Sequence, residues 1–265
     1  MSYANPFGIP LVPTSLLCGC VPAGGCSAQE AGRAGATLGH MKADRLLVLG
    51  NSITLIPPSP KDGWPNNCGL AASVPEKDYI HIVAAGIDAR TGGHMELTPP
   101  DPTKHAADGS VITANANILN VADLVERQYA MYQSATLQPQ IDQKPDIVLL
   151  QLGENVPADT FAPGPFKAAL QTLMAALKAS SDPHIFVTGL ILGPRPEIDD
   201  IKRQVCAEDP SHRVFVDISA FSADPSNLAG AEEFFTGVIA GHPGDKGMSV
   251  IGEALLEAII AHSAQ

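Results

Sequence analysis

Residues 45–54 are Arg45-Leu46-Leu47-Val48-Leu49-Gly50-Asn51-Ser52-Ile53-Thr54, a short apolar run that ends in a glycine-containing turn. A continuous apolar run of this length is typical of a strand that is buried on both faces, as in a parallel sheet. Three further runs have the same character, at residues 146–153, 184–191 and 213–218. A weaker strand is predicted near residues 68–71.

Helical patterns separate these runs, at residues 76–85, 117–133, 166–179, 198–207 and 246–262. Strands that alternate with helices predict a three-layer α/β/α domain with a flavodoxin-like parallel sheet of about five strands. We place this domain at residues 44–265 and an irregular N-terminal leader, rich in Gly, Ala, Pro and Ser, at residues 1–43. Residues 91–115 are rich in Gly, Pro and polar residues and are predicted to form a long surface excursion.

The composition limits the class of protein and its partners. With 265 residues, 45% of them apolar and 17% charged, the chain can bury a sizeable core. Its 16 basic and 28 acidic side chains give a net charge of −12. An acidic protein binds polyanions poorly, so we expect neither nucleic acid nor an acidic membrane surface as a partner. The apolar runs fall short of the roughly 18 residues of a transmembrane helix, so we expect no membrane span.

The N-terminal sequence bears on localisation. Residues 1–32 contain no Lys or Arg, so the basic region of a secretory signal is missing and the sequence favours a cytoplasmic over an exported protein. The alternative is export, since Leu17-Cys18-Gly19-Cys20 is similar to a lipoprotein cleavage box.

The cysteine pattern predicts reduced thiols. An odd number of cysteines, crowded near the N-terminus, does not form a disulfide framework. The three cysteines nearest the N-terminus are not spaced as CxxC and have no histidine nearby, so we expect no metal centre and no cofactor. Metal binding by these three thiols is the alternative. The five cysteines are Cys18, Cys20, Cys26, Cys68 and Cys206.

Polar residues follow the apolar runs, and sites in parallel sheets form at the carboxyl ends of the strands. Ser52 lies in the turn after the first run, where a nucleophile can be held exposed. Asn155 follows the second run and could donate to an oxyanion, and His242 lies just before the helix that Asp245 caps, where a general base can be held. Gly69 could bring its backbone N–H close to a ligand. Taken singly, each residue fits a turn, a cap or a surface position better, and only the combination points to a site.

The combination resembles the SGNH (GDSL-like) hydrolase superfamily over residues 44–261. Three of the sequence blocks that characterise this superfamily have a match in the chain. Gly50-Asn51-Ser52-Ile53-Thr54 resembles the first block, in a GNSIT form. Gly153-Glu154-Asn155 resembles the third block and His242 the histidine of the fifth. Gly69 is the candidate for the second-block glycine, and Gly86 is the alternative. The resemblance implies that Ser52 is the nucleophile and His242 its base. It implies an oxyanion hole made by the backbone N–H groups of Ser52 and Gly69 and the side-chain amide of Asn155.

The sequence departs from the family pattern at two positions. Members often carry Asp three residues before the histidine, where this chain has Ile239, and many carry Asp after the third-block Asn, where it has Val156. We therefore predict a Ser52–His242 dyad in which Nδ1–H donates to a backbone carbonyl near residues 239–241, or to a water. Three carboxylates could replace the missing one in a triad: Glu154, Asp217 and Asp245.

The function implied by the resemblance is that of a serine esterase without metal or cofactor, which hydrolyses O-acetyl or other short acyl esters, carbohydrate esters among them, through an acyl-enzyme. An O-acyltransferase using the same site and a non-catalytic binding module on the same fold are the alternatives. An FMN-binding flavodoxin is disfavoured, because the first loop lacks a Ser/Thr-rich phosphate cradle. Trp64, the single tryptophan, and Glu154 are candidate substrate contacts, with a packed loop anchor as the other role for Trp64.

Overall fold

A computed structural model describes residues 35–231 and 237–265 of the chain. Residues 1–34 of the leader predicted over residues 1–43 lie outside the described residues. Residues 37–42, which the sequence analysis placed in this irregular leader, instead form an antiparallel hairpin, because Leu38 and Met41 are buried in the core. The elements in chain order are β1 Thr37–Leu38, β2 Met41–Lys42, β3 Leu46–Gly50, α1 Tyr79–Thr91, β4 Ile118–Asn120, α2 Gln138–Ile141, β5 Ile147–Leu150, α3 Pro163–Ser181, β6 His184–Thr188, α4 Pro196–Ala207, β7 Arg213–Val216 and α5 Asp245–Ser263.

The central sheet has five parallel strands in the order β4-β3-β5-β6-β7. The first strand of the sheet in sequence, β3, therefore lies between β4 and β5, with Val48 opposite both Ile118 and Leu149. The strands are short and almost wholly apolar, because both faces of the sheet are covered. The predicted parallel sheet of about five strands is confirmed.

Helices cover both faces of the sheet, as the alternation of strands and helices requires. Leu46 and Val48 of β3 belong to a core that also contains buried side chains of α1 and α5. Leu47 and Leu49 point the other way, into a core built with α3 and α4. Successive side chains of a strand alternate between the faces, so one strand contributes to both cores. The result is the three-layer α/β/α architecture.

One strand differs in position from the sequence prediction. No strand forms at residues 68–71, where Cys68 makes only an isolated bridge to Ile56. The edge strand next to β3 is β4, which we had included in a helix over residues 117–133. The rest of that segment forms a π-helix at Ala122–Arg127 and a 3-10 turn at Tyr129–Met131. A three-residue strand is too short to show its own periodicity, and its pairing with β3 gives it an extended conformation.

The remaining predicted helices are present with shifted ends, as α1, α3, α4 and α5. Residues 93–117 form neither helix nor strand, as predicted for a surface excursion, and side chains of Asp101 and Asp108 accept hydrogen bonds from turns within it. Among the residues that the structure describes, no helix combines the length and the apolar character needed to cross a bilayer.

Candidate active site

The turn after β3 exposes Ser52 at the carboxyl edge of the sheet. Asn51 Oδ1 accepts a hydrogen bond from the Ile53 N–H at 3.0 Å, and the Asn51 carbonyl accepts from the Thr54 N–H at 3.0 Å. A Cβ at Gly50 would overlap the Thr54 hydroxyl, so only glycine fits where the strand enters the turn. The turn thereby buries Asn51 and leaves Ser52 partly accessible to solvent.

His242 lies against this serine. Its Nε2 is 2.9 Å from Ser52 Oγ, and its Nδ1 is 2.9 Å from the Val238 carbonyl oxygen. A carbonyl only accepts, so Nδ1 carries the proton and Nε2 presents a lone pair to the Ser52 hydroxyl. The backbone fixes the ring from both sides, because the His242 N–H donates to Ile239 and its carbonyl accepts from Ala229. Ser52 and His242 thus form the arrangement of a nucleophile with its base.

The imidazole of His242 has no carboxylate in the position that the family pattern would give it. Ile239 belongs to the hydrophobic core and is 6% exposed, and the carbonyl that receives Nδ1–H comes from the residue before it, Val238. Burial lowers the pKa of His242 below its ordinary value, and the hydrogen bond to the Val238 carbonyl opposes this shift. The ring is therefore neutral, as a general base must be, at neutral pH.

Glu154, one of the three alternative carboxylates, binds the loop after β6. Its Oε1 accepts hydrogen bonds from the backbone N–H groups of Ile191 at 2.5 Å and Leu192 at 3.3 Å. Burial raises the pKa of Glu154, and the negative charge of Glu126 raises it further, against the hydrogen bonds and the charge of Lys202. This carboxylate is occupied by the loop after β6, while His242 Nδ1 has the Val238 carbonyl as its acceptor. The role of Glu154 as a substrate contact stays a prediction.

The other two carboxylates have surface partners. Asp217 Oδ2 lies 2.7 Å from Arg203 Nη2, and the pKa of Asp217 is lowered by hydrogen bonds from Ser219 and then by Arg203. Asp245 accepts from the Ser73 hydroxyl at 2.7 Å and from Lys77 Nζ at 2.6 Å. These contacts bind α5 and the strand end to neighbouring loops. The acceptor found for His242 Nδ1 is the Val238 carbonyl.

A buried carboxylate connects the nucleophile turn to the third block. This residue, Glu126, lies in the π-helix after β4 and is fully buried. Its Oε1 accepts hydrogen bonds from Asn51 Nδ2 at 3.1 Å and from the Gly153 N–H. Its Oε2 accepts a hydrogen bond from Asn155 Nδ2 at 2.6 Å. Arg127 Nη2 donates to Asn155 Oδ1 at 2.6 Å. Because a carboxylate only accepts and a guanidinium only donates, the Asn155 amide is held in one orientation. One of its two Nδ2 hydrogens remains for an oxyanion.

Gly153 is required by the backbone of the third block. Its φ of +124° is a conformation that side chains disfavour, and a Cβ there would lie 2.8 Å from Leu190 Cδ2 and 3.2 Å from Lys202 Cε. Lys202 is itself buried, with Nζ 3.0 Å from the Thr188 carbonyl oxygen and 3.0 Å from Asp199 Oδ1. Burial lowers the pKa of this ammonium group. A buried cation therefore balances the carboxylates at this edge of the sheet.

Gly69 lies in a buried turn instead of at a strand end. A Cβ there would overlap the Ile53 carbonyl, and the neighbouring Leu70 N–H donates to the Ser52 carbonyl at 2.9 Å. This segment supports the backbone of the nucleophile turn, while the strand end on which the oxyanion role of Gly69 depended is absent. The role of Gly69 stays a prediction. The alternative glycine, Gly86, lies in α1 against Leu256 of α5, within a helix contact.

The Trp64 side chain packs inside the protein. Its side chain is 1% exposed, belongs to the core beside α1 and α5, and donates from Nε1 to the Ile56 carbonyl at 3.1 Å. A ring buried in this way anchors its loop and offers no open face to a sugar. Of the two roles that the sequence offered for Trp64, the burial supports the packed loop anchor.

Sequence reasoning missed Glu126 and Arg127, which orient Asn155. Both lie in the segment whose pattern predicts a helix over residues 117–133, and the burial of Glu126 cannot be inferred from its residue type. A signal was present, since Glu126 follows the apolar pair Leu124-Val125 within a few residues of a strand end.

Comparison with family models finds no match, and comparison of the sequence with curated proteins finds none either. Solved structures do match. A two-domain esterase described as active on acetylated mannans superposes with a TM-score of 0.53 at 14% identity, over 84% of this chain and 50% of that one. The esterase EstA from Pseudoalteromonas sp. gives 0.49 at 12% identity, over 82% and 97%. A family 3 carbohydrate esterase from Talaromyces cellulolyticus gives 0.48 at 15% identity, over 83% and 98%.

The first of these similarities carries the conclusion about architecture. It covers 84% of this chain, including the five-stranded parallel sheet between helices, and this chain spans half the length of the two-domain esterase. The chain therefore has an SGNH hydrolase fold. At 14% identity the similarity shows the fold alone.

Proposed function

We propose that the protein is a serine esterase that hydrolyses short-chain acyl esters, O-acetyl esters above all, through an acyl-enzyme at Ser52. The observation that carries the proposal is the 2.9 Å contact between Ser52 Oγ and His242 Nε2, with the second ring nitrogen bound to a carbonyl. A serine hydroxyl becomes an effective nucleophile when a neighbouring base accepts its proton. The dyad lies at the carboxyl edge of the sheet, where sites of α/β proteins form.

The geometry supports a two-step reaction. Ser52 Oγ attacks the acyl carbon while His242 Nε2 takes the hydroxyl proton, and the imidazolium then gives this proton to the leaving alcohol. Water attacks the acyl-serine in the second step, with His242 again as the base. The unused Nδ2 hydrogen of Asn155 and the backbone N–H groups of Ser52 and Gly69 are the donors that we assign to the developing oxyanion.

The acyl group that we propose is short, as the resemblance to this class of esterases implies. An apolar cleft of about 160 Å³ is lined by Leu55, by residues of the surface excursion and by Leu119 and Asn120 of β4. Ser52 and His242 are not among the residues that line this cleft, so it carries no argument about the length of the acyl chain. One esterase with this fold is described as active on acetylated mannans, so acetylated polysaccharide is the first natural substrate to test.

The test is acetate release from p-nitrophenyl acetate and from acetylated mannan, without any acceptor sugar. Wild type should release acetate, and Ser52→Ala should lower kcat by more than about a hundredfold with an unchanged circular dichroism spectrum. Ser249→Ala, an exposed serine on α5, is the matched control and should keep full activity. Acetate transfer that occurs only with an added sugar would assign an acyltransferase, and no turnover by folded wild type would assign a binding module.

A further inference from the structure

Three histidines meet at the amino edge of the sheet, opposite the dyad. His40 lies in the turn between β1 and β2, His184 is the first residue of β6, and His262 lies in the last turn of α5. One ring nitrogen from each lies within 4.8 Å of the others. Parallel strands rise about 3.3 Å per residue, so the length of β6 separates this triad from the carboxyl edge that carries Ser52. We call these three residues the histidine triad.

The ring orientations are those of metal ligands. His40 Nδ1 donates to the Ser263 carbonyl at 3.0 Å, which leaves Nε2 with a lone pair. The His262 ring bonds to the backbone of Ser211, and its Nε2 lies 3.1 Å from His184 Nδ1. Histidines that bind metals commonly donate their far N–H to a backbone carbonyl, which fixes the tautomer and the direction of the other nitrogen.

Burial favours the neutral form of two of the rings, those of His184 and His262. Burial lowers the pKa of His184 to about 4. The neighbouring histidines His262, His212 and His40 add to this shift, and the negative charge of Asp182 opposes it. Burial and His40 also lower the pKa of His262. Metal ions bind neutral imidazole, so protons compete weakly for these two nitrogens at neutral pH.

The spacing suits a tetrahedral ion. Four nitrogen ligands at about 2.0–2.1 Å from zinc lie about 3.3 Å from one another. His184 Nδ1 and His262 Nε2 are already 3.1 Å apart, and the ring nitrogen of the exposed His40 lies within 4.8 Å of both, so a small shift of this side chain brings it to ligand distance. Its exposure also gives the ion a path of entry and leaves room for a water as fourth ligand. Imidazole ligands select zinc and its neighbours among divalent ions.

We propose that His40, His184 and His262 bind a divalent transition-metal ion of the zinc type, which joins the N-terminal hairpin, the sheet and the C-terminal helix. This site is separate from the dyad and supplies no step of ester hydrolysis. The competing interpretation is a metal-free cluster in which His184 Nδ1–H donates to His262 Nε2.

The test is equilibrium dialysis of the full chain, stripped with EDTA, against Zn²⁺ and Co²⁺. We expect one ion per chain, a Co²⁺ visible spectrum of the tetrahedral type, and a melting temperature several degrees higher at saturating Zn²⁺. His40→Gln, at an exposed position, and His184→Asn should each weaken binding about a hundredfold or more. His94→Gln, at another exposed histidine, should bind as wild type does.

A further control addresses the cysteines at positions 18, 20 and 26, which could supply thiolates. The triple variant with serine at these positions should keep its affinity for Zn²⁺. Absence of binding by wild type, unchanged affinity of His40→Gln, or loss of binding in the triple serine variant would each overturn the proposal.

Discussion

At the scale of single residues, Asn155 is the side chain whose orientation the structure fixes most fully. Glu126 accepts from its Nδ2 and Arg127 donates to its Oδ1. We expect Asn155→Ala to lower kcat by about 10²–10³ and to leave KM nearly unchanged, because an oxyanion donor acts in the transition state. Steady-state kinetics with p-nitrophenyl acetate measures both, and Asn115→Ala, at an exposed asparagine of the surface excursion, serves as control. An effect on KM alone would assign Asn155 to substrate binding.

The Val238 carbonyl takes the position of a triad carboxylate, and this leads to a second expectation. Glu154→Gln, Asp217→Asn and Asp245→Asn should each cost less than about tenfold in kcat, against the roughly 10⁴ that follows neutralisation of a true triad Asp. Each of these carboxylates has other partners in the structure. A thousandfold loss in one of these variants, with unchanged folding, would identify that residue as the third member of a triad.

The sequence could indicate Ser52, Asn155 and His242 because each follows or precedes an element whose pattern is visible. It could not indicate Val238, since its contribution is a backbone carbonyl, which every residue type carries. Glu126 escaped notice because the same residue type is usually exposed on a helix surface, and only tertiary structure shows its burial.

At the scale of elements, the π-helix after β4 carries Glu126 into the site. Three donors converge on its carboxylate, from Asn51, Gly153 and Asn155. A glutamine at position 126 places its NH₂ group against one of these three donors, which then loses its acceptor. We expect Glu126→Gln to lower kcat about tenfold to a hundredfold at nearly constant KM, since misplacement of Asn155 by about 1 Å has a cost of this order.

The same variant should be less stable by about 1–3 kcal/mol, because a buried donor loses its partner. Urea unfolding and steady-state kinetics give the two numbers. Glu253→Gln, at an exposed glutamate of α5, is the control and should change neither. If Glu126→Gln loses stability but keeps full kcat, Glu126 supports the fold without positioning Asn155.

Elements with long patterns were predictable and short ones were not. The buried strands β3, β5 and β6 and the helices α3, α4 and α5 each show a run or a period that the fold preserves. The edge strand β4 has three residues and precedes apolar residues at helical spacing, so a helix was the natural interpretation. Its strand conformation depends on pairing with β3, which is a long-range contact.

At the scale of the whole molecule, the two sites that we propose lie at opposite edges of the sheet. The dyad at the carboxyl edge carries its own base, and the histidine triad lies at the amino edge. We therefore expect EDTA to leave kcat unchanged at 25 °C and to lower the melting temperature of metal-loaded protein. Activity assays and thermal unfolding before and after dialysis measure these two effects. The Ser52→Ala variant is the control for unfolding, because it lacks the nucleophile and retains the histidine triad. Loss of kcat that zinc restores would place the metal in the reaction.

The architecture could be inferred because alternation of strands and helices leaves few arrangements, and the parallel sheet is one of them. The histidine triad could not, because His40, His184 and His262 come from distant parts of the chain and no local spacing relates them. The domain boundary near residue 43 stays a prediction.

The central claim is that Ser52 is a nucleophile activated by His242, and covalent labelling tests it most directly. The native protein is incubated with a fluorophosphonate, and the modified residue is located by peptide mass spectrometry. We expect one adduct, on Ser52, and a rate of labelling at least about a hundredfold lower in His242→Asn, where the base is absent. An adduct on another serine, no adduct on folded protein, or equal rates in wild type and His242→Asn would contradict the account.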